Sequence, residues 1–261
     1  MTISIIIYTF GGDAHCLGPC LEALHRLQAS GHRFRIHIAD DTAHPLPYPP
    51  AGCTYWQTAY DRRGNLNGRI CVQGQLALMA EIAAEDRPDF ILKLDCDTVV
   101  LGLDWISPAN AMSGFLLAPD KDYCSGMCYA VRAADIPAMH AWAQANGHLL
   151  AHNVPEDIGM GIACRAVGGD ATLHQVYEEG KRACGYIYNG TPDESGDVIE
   201  RPDWAAYATM EVLTFGNRNY IHPSIAEPRR YAATVMQAFM NYSLTNNRSA
   251  YQVMATSRQQ A

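Results

Sequence analysis

The sequence predicts an α/β domain built on a mostly parallel, doubly wound sheet, and three observations carry that prediction. Over the first hundred residues, apolar runs of strand length alternate with helical patterns. Hydrophobic residues make up 48% of the 261 and charged residues 18%, which suits one large packed core. An apolar stretch at 89–101, DFILKLDCDTVVL, carries two carboxylates near its C-terminal end, the edge where open α/β sheets bind ligands.

Residues 3–9 (ISIIIYT) and 34–39 (FRIHIA) read as strands, with a helix over 17–29 between them closed by Ser30-Gly31. A Pro-rich loop, AHPLPYPPAG, leads to a short strand around TYWQTAY. Residues 66–84 read as a helix in spite of Gly68 and Gly74, and the strand 89–100 follows it. Beyond Leu101 the rhythm changes. GFLLAP and YCSGMCYAV read as strands, DIPAMHAWAQAN and PEDIGMGIACRAVGG as helices, and 227–242 as a last helix before a polar tail. No repeat or low-complexity segment divides the chain. One domain is expected, in two functional halves of about 1–100 and 101–225, with 226–261 as helix and tail.

Nineteen basic against 27 acidic residues give a net charge of −8, which disfavours a general nucleic-acid binder or a protein drawn to anionic lipid. The apolar N-terminus MTISIIIYTFGG is too short to span a bilayer, lacks a basic flank, and reads as a first strand. Nine cysteines, an odd number, argue for reduced and mostly buried thiols. The three-residue spacings of Cys16/Cys20 and Cys124/Cys128 do not suit a zinc hairpin. A cytoplasmic protein fits this usage best.

Asp95 and Asp97 are two apart, so on one continuous strand they project from the same face. Paired carboxylates repel unless a cation compensates them, and all-oxygen ligation suits Mg²⁺ or Mn²⁺ together with substrate phosphates. The plainer alternative is a pair of loop acids after a short strand. A second acidic pair opens a helix: Pro155 fits the first helical position, and Glu156 and Asp157 occupy the first turn, where the macrodipole favours anions. A helix N-terminus also predicts a depressed pKa for Asp157.

Three blocks in order, LKLDCDTVV (92–100), YCSGMCYAVRAADI (123–136) and PEDIGMGIACRAVG (155–168), resemble inverting glycosyltransferases of the GT-A fold. The likeness is to the family-31 β-1,3-galactosyl- and N-acetylglucosaminyltransferases, with their Lys-x-Asp-Asp-Asp strand, Tyr-x-Ser-Gly-x-x-Tyr strand and Glu-Asp-Val-x-x-Gly helix start. Cys96, Met127, Cys128 and Ile158 depart from that pattern. The N-terminal part, with IADDTAH after its second strand, is more similar to family-2 transferases.

The resemblance implies a UDP-sugar donor, a hydroxyl-bearing acceptor such as a glycan, and Mn²⁺ or Mg²⁺. It implies Asp97 as direct metal ligand, Asp95 on the ribose or an outer-sphere water, and His222 as third ligand with His174 second. Asp157 would be the general base and Glu156 its support or the acceptor's guide. Thr9, Phe10, Asp40, Asp41, Arg62, Arg63 and Gly64 would contact the nucleotide, and Trp105, Tyr123, Ser125 and Gly126 would line the acceptor side. For Trp105, stacking on a sugar and burial in the core are both open.

Two other readings compete. The Asp-x-Asp pair also resembles haloacid-dehalogenase-like phosphatases, with Asp95 as nucleophile, Asp97 as acid/base, and Lys121 and Glu156-Asp157 in supporting roles. That family carries the motif on its first strand, whereas here strands precede it. A non-catalytic nucleotide- or glycan-binding protein of the same fold is the third reading.

Overall fold

A first strand apolar at every position can only be a central one, and β1 (Ile3–Thr9) is buried along its whole length. The computed structural model describes residues 1–41, 43, 45–60, 68–116, 123–150, 154–175, 184–187, 211–215 and 228–246. In chain order β1 is followed by α1 (Ala14–Ala29), β2 (Phe34–Asp41), β3 (Thr54–Thr58), α2 (Gly68–Asp86) and β4 (Phe90–Asp95). Then come β5 (Thr98–Val100), β6 (Met112–Leu116), β7 (Cys128–Arg132), α3 (Ile136–Ala145) and α4 (Glu156–Ala166). The last are β8 (Ala171–Gln175), β9 (Cys184–Ile187), β10 (Val212–Phe215) and α5 (Pro228–Asn246).

Seven strands form the main sheet in the order β3-β2-β1-β4-β7-β6-β8, and β5-β10-β9 form a smaller one. In the main sheet only β7 runs against its neighbours β4 and β6; the other pairings are parallel. Strand alternation sends Ile3, Ile5 and Ile7 into a core shared with α1 and α5. Ile6 and Tyr8 enter a second core with α2, α3 and α4. The expected single α/β domain of mostly parallel sheet flanked by helices is thus what the chain forms. Among the described residues no helix is long and apolar enough to cross a membrane.

Gly31 and Gly168 take φ values of +105° and +77° just past α1 and α4, the left-handed stop that side chains resist. Across the first core, Arg26 of α1 donates to the Met240 carbonyl (3.0 Å) and Ser243 Oγ (2.9 Å) of α5. Beneath the far end of α2, Asp86 Oδ2 accepts from Ser4 Oγ and pairs with His37 Nε2, both at 2.7 Å, while Asp86 Oδ1 meets Arg35 Nη1 at 2.5 Å. Trp56 Nε1, which can only donate, reaches His37 Nδ1 at 3.0 Å. That bond makes Nδ1 the acceptor and turns Nε2 to Asp86.

The strand expected over 89–100 is broken. β4 ends at Asp95, Cys96 and Asp97 form a turn, and Thr98–Val100 pairs with β10 in the small sheet. The cause lies in the partner strand, since Phe215 N donates to the Asp97 carbonyl at 2.9 Å and draws the chain away. Strand alternation therefore does not relate Asp95 to Asp97. YCSGMCYAV is a strand only from Cys128, because Ser125 N is taken by the Phe115 carbonyl (2.7 Å) and a turn follows. Among the described side chains, eight cysteines are free thiols, seven of them buried.

Candidate active site

Register brings the site together. Ile6 of β1 and Tyr129 of β7 both pair with Lys93 of β4, and Tyr8 pairs with Asp95. Lys93 is 3% exposed and lies on the α2 face of the sheet. Its ammonium meets Asp95 Oδ1 at 2.6 Å and Glu156 Oε1 at 3.3 Å, and also donates to the Gly126 carbonyl. The rings of Tyr129 and Tyr8 flank it, with centroids 5.6 and 6.0 Å away. Burial alone would push Lys93 towards the neutral form, but the carboxylates of Asp95 and Glu156 outweigh it and raise its pKa above the usual lysine range.

Glu156 opens α4 and points inward. Its Oε2 lies 3.1 Å from Tyr129 Oη, which is 2.9 Å from Gln75 Oε1 of α2. Burial, opposed by Lys93 and reinforced by Asp157 and Asp95, raises the Glu156 pKa to about 7. Asp157 Oδ1 accepts from the Ile158 N–H (2.8 Å) and Oδ2 from the Gly126 N–H (3.1 Å). The expected depressed pKa of Asp157 is not found. Burial raises it and outweighs those two bonds, because the helix start faces protein rather than water.

Gly126 is held from both sides, its N–H on Asp157 and its carbonyl on Lys93. A Cβ there would come within 2.9 Å of Glu156 Oε1, so no side chain fits without displacing the acid. Ser125 is buried beside it and Tyr123 packs its Cβ over Gly161 of α4. Three of the residues expected to line an acceptor, Tyr123, Ser125 and Gly126, thus stand next to the acidic helix start. Trp105 does not. It is 2% exposed, its ring lies 4.7 Å from that of Phe115, and its Nε1 donates to the Gly102 carbonyl at 3.1 Å. It is a core tryptophan.

Asp95 keeps 44% of its side chain exposed at the end of β4, and the buried Asp97 follows in the turn. Cys96 between them turns inward, its Sγ 3.9 Å from the Asp13 carbonyl. Two carboxylates, one of them substantially exposed, are the oxygen donors that a hard cation completed by substrate phosphates takes. Among the described residues no group of three or more His, Cys, Asp or Glu side chains could hold a metal unaided. His174 sits on β8, three strands from β4 and roughly 14 Å across the sheet at ordinary strand spacing. His222, and with it Arg62, Arg63, Gly64 and Lys121, lies outside the described residues.

Thr9 and Asp40 end neighbouring strands in register and are fully buried, while Phe10 leads into the short turn before α1. Asp40 Oδ2 accepts from the Leu46 N–H (2.8 Å) and from Tyr55 Oη, and its Oδ1 has no hydrogen-bond partner among the described residues. Asp41 Oδ1 caps the Ala43 N–H at 3.0 Å, a local loop role. Sequence reasoning missed Lys93, Tyr129 and Gln75. The first two lay within the quoted blocks; Gln75 carried no local signal.

No protein-family model and no curated protein sequence matches the chain. Solved structures do. A glycosyltransferase involved in the glycosylation of the major capsid of PBCV-1 superposes with a TM-score of 0.52 at 11% identity, covering 91% of this chain and 100% of that one. An active-site mutant of LgtC gives a TM-score of 0.50 at 12% identity, covering 92% and 95%. The likeness defines the fold as GT-A. The dehalogenase-like reading has no support in it, since the acidic pair follows the fourth strand rather than the first.

Proposed function

We propose that this chain is a glycosyltransferase that moves a sugar from a nucleotide sugar, UDP-linked by the resemblance, to a hydroxyl acceptor such as a glycan. The observation that carries the reading is the Lys93 cluster, which joins the strand acid Asp95 to the helix-start acids Glu156 and Asp157 at the C-terminal edge of a GT-A sheet. One of the solved structures that the fold resembles is a glycosyltransferase, which supports the same class.

In this reading residues 1–100 bind the nucleotide sugar and 101–225 the acceptor. Asp97, with Asp95 beside it and His222 as third ligand, holds Mn²⁺ or Mg²⁺. That ion supplies charge neutralisation for the departing diphosphate. Asp40, near the C-terminal end of β2, stands on the nucleotide side in this reading. Asp157, fixed by two backbone N–H groups, takes the proton of the acceptor hydroxyl as its oxygen bonds to the anomeric carbon and the bond to the diphosphate breaks. Attack opposite the leaving group makes the reaction inverting. Its raised pKa makes Asp157 a stronger base than an ordinary aspartate. Galactose and N-acetylglucosamine are the sugars the family-31 likeness suggests, and free thiols suit a cytoplasmic setting.

Calorimetric titration with UDP and UDP-sugars, with and without Mn²⁺, tests this directly. Metal-dependent UDP binding is expected in the wild type and should vanish in Asp97→Ala. Binding of no nucleotide, with turnover of a phosphate ester, would overturn it.

A further inference from the structure

Lys93 has three ammonium protons and three acceptors: Asp95 Oδ1, the Gly126 carbonyl and Glu156 Oε1. Nothing in the reaction proposed above uses it. Its acceptors come from three separate parts of the chain, the end of β4, the loop before β7 and the start of α4. Two carboxylates, those of Asp95 and Glu156, meet this one cation, and Asp157 follows Glu156 at the helix start. The ammonium holds Asp95 by one oxygen, while the aspartate side chain stays substantially open.

We propose that Lys93 is a positioning residue that couples Glu156 to Asp95, so that the charge on Glu156 sets how firmly Asp95 is held for a divalent cation. The inference rests on the metal-site reading above. With Glu156 ionised, the lysine charge is divided between two carboxylates, and an incoming cation competes with only part of it. With that charge removed, Lys93 belongs to Asp95 alone and the cation must compete with the whole of it. A lysine that merely filled a hole would transmit nothing from one acid to the other.

The test is a double-mutant cycle on the full chain, read as Mn²⁺ affinity by calorimetry in the presence of UDP. Glu156→Gln is expected to weaken Mn²⁺ binding by about fivefold or more while Lys93 is present, and by less than about twofold in a Lys93→Met background. An equal loss in both backgrounds means through-space electrostatics alone and overturns the proposal, as does no loss in either. Failure of the wild type to bind Mn²⁺ with UDP overturns the metal reading and this inference together. Should Lys93→Met not fold, nuclear magnetic resonance of the lysine ammonium groups decides. The Lys93 signal is expected to shift on adding Mg²⁺ and UDP to the wild type, and to shift differently in Glu156→Gln. The same response in both proteins, or none, sinks the coupling.

Discussion

Two buried polar clusters lie on one face of the same sheet, under the same helix α2, and they are built to opposite rules. The Asp86 cluster is closed: its one carboxylate is met by Ser4, Arg35 and His37, whose other ring nitrogen accepts from Trp56. The Lys93 cluster is open: one ammonium faces Asp95 and Glu156, with Asp157 beside them, and negative charge is left over. The first ties α2 to strands β1, β2 and β3. The second stores an excess of acid at the sheet edge where Asp95 reaches solvent. A fold that needed only stability would close both, so the unbalanced cluster is where a charged ligand belongs.

Breaking the second cluster should have the largest effect. Lys93→Met leaves the largely buried Glu156 without its cation and is expected to cost about 3–5 kcal/mol, read from the midpoint of denaturant unfolding. Breaking the first should cost less. Asp86→Asn turns an amide N–H₂ towards groups that donate, a loss of roughly 1.5–3 kcal/mol, with nucleotide and Mn²⁺ binding unchanged.

The two clusters should also respond to pH with opposite signs. Burial raises Glu156 above its unfolded value, so the folded state binds the extra proton and stability falls as pH rises from about 4.5 to about 7. Asp86 is depressed, since the bonds from Ser4, His37 and Arg35 outweigh its burial. Its contribution is present above the usual aspartate range and is lost on acidification below it. Glu156→Gln should flatten the first slope and Asp86→Asn the second, in thermal melts taken across pH 3–8. The smallest change is expected from Trp56→Phe, about 1 kcal/mol, because it removes one indole donor and leaves His37 Nδ1 unsatisfied.

Which parts of this were legible beforehand follows from how local each signal was. The strand β1, the helix α2 and the helix start at Glu156 announce themselves within a few residues, through apolar periodicity, Pro155 and first-turn acids. The stop at Gly168 is equally local. The break after Asp95 was not legible, because Thr98–Val100 continues the apolar pattern unchanged and only its pairing with β10, over a hundred residues on, assigns it to another sheet. Trp105 could not be placed either, since stacking on a sugar and packing on Phe115 ask the same of an indole.

The amino-acid sequence by itself determined that this chain would build an α/β sheet and would bring two acidic pairs to the ends of its elements. Those properties follow from periodicity, spacing and composition, which act over short distances along the chain. The tertiary structure alone decided that Lys93 would join the two acidic pairs, that burial would raise Glu156 and Asp157 against the pull of a helix N-terminus, and that Gly126 would have to stay small. Each depends on removing water from charges contributed by remote segments, and desolvation is a property of the folded interior that no local stretch of residues contains.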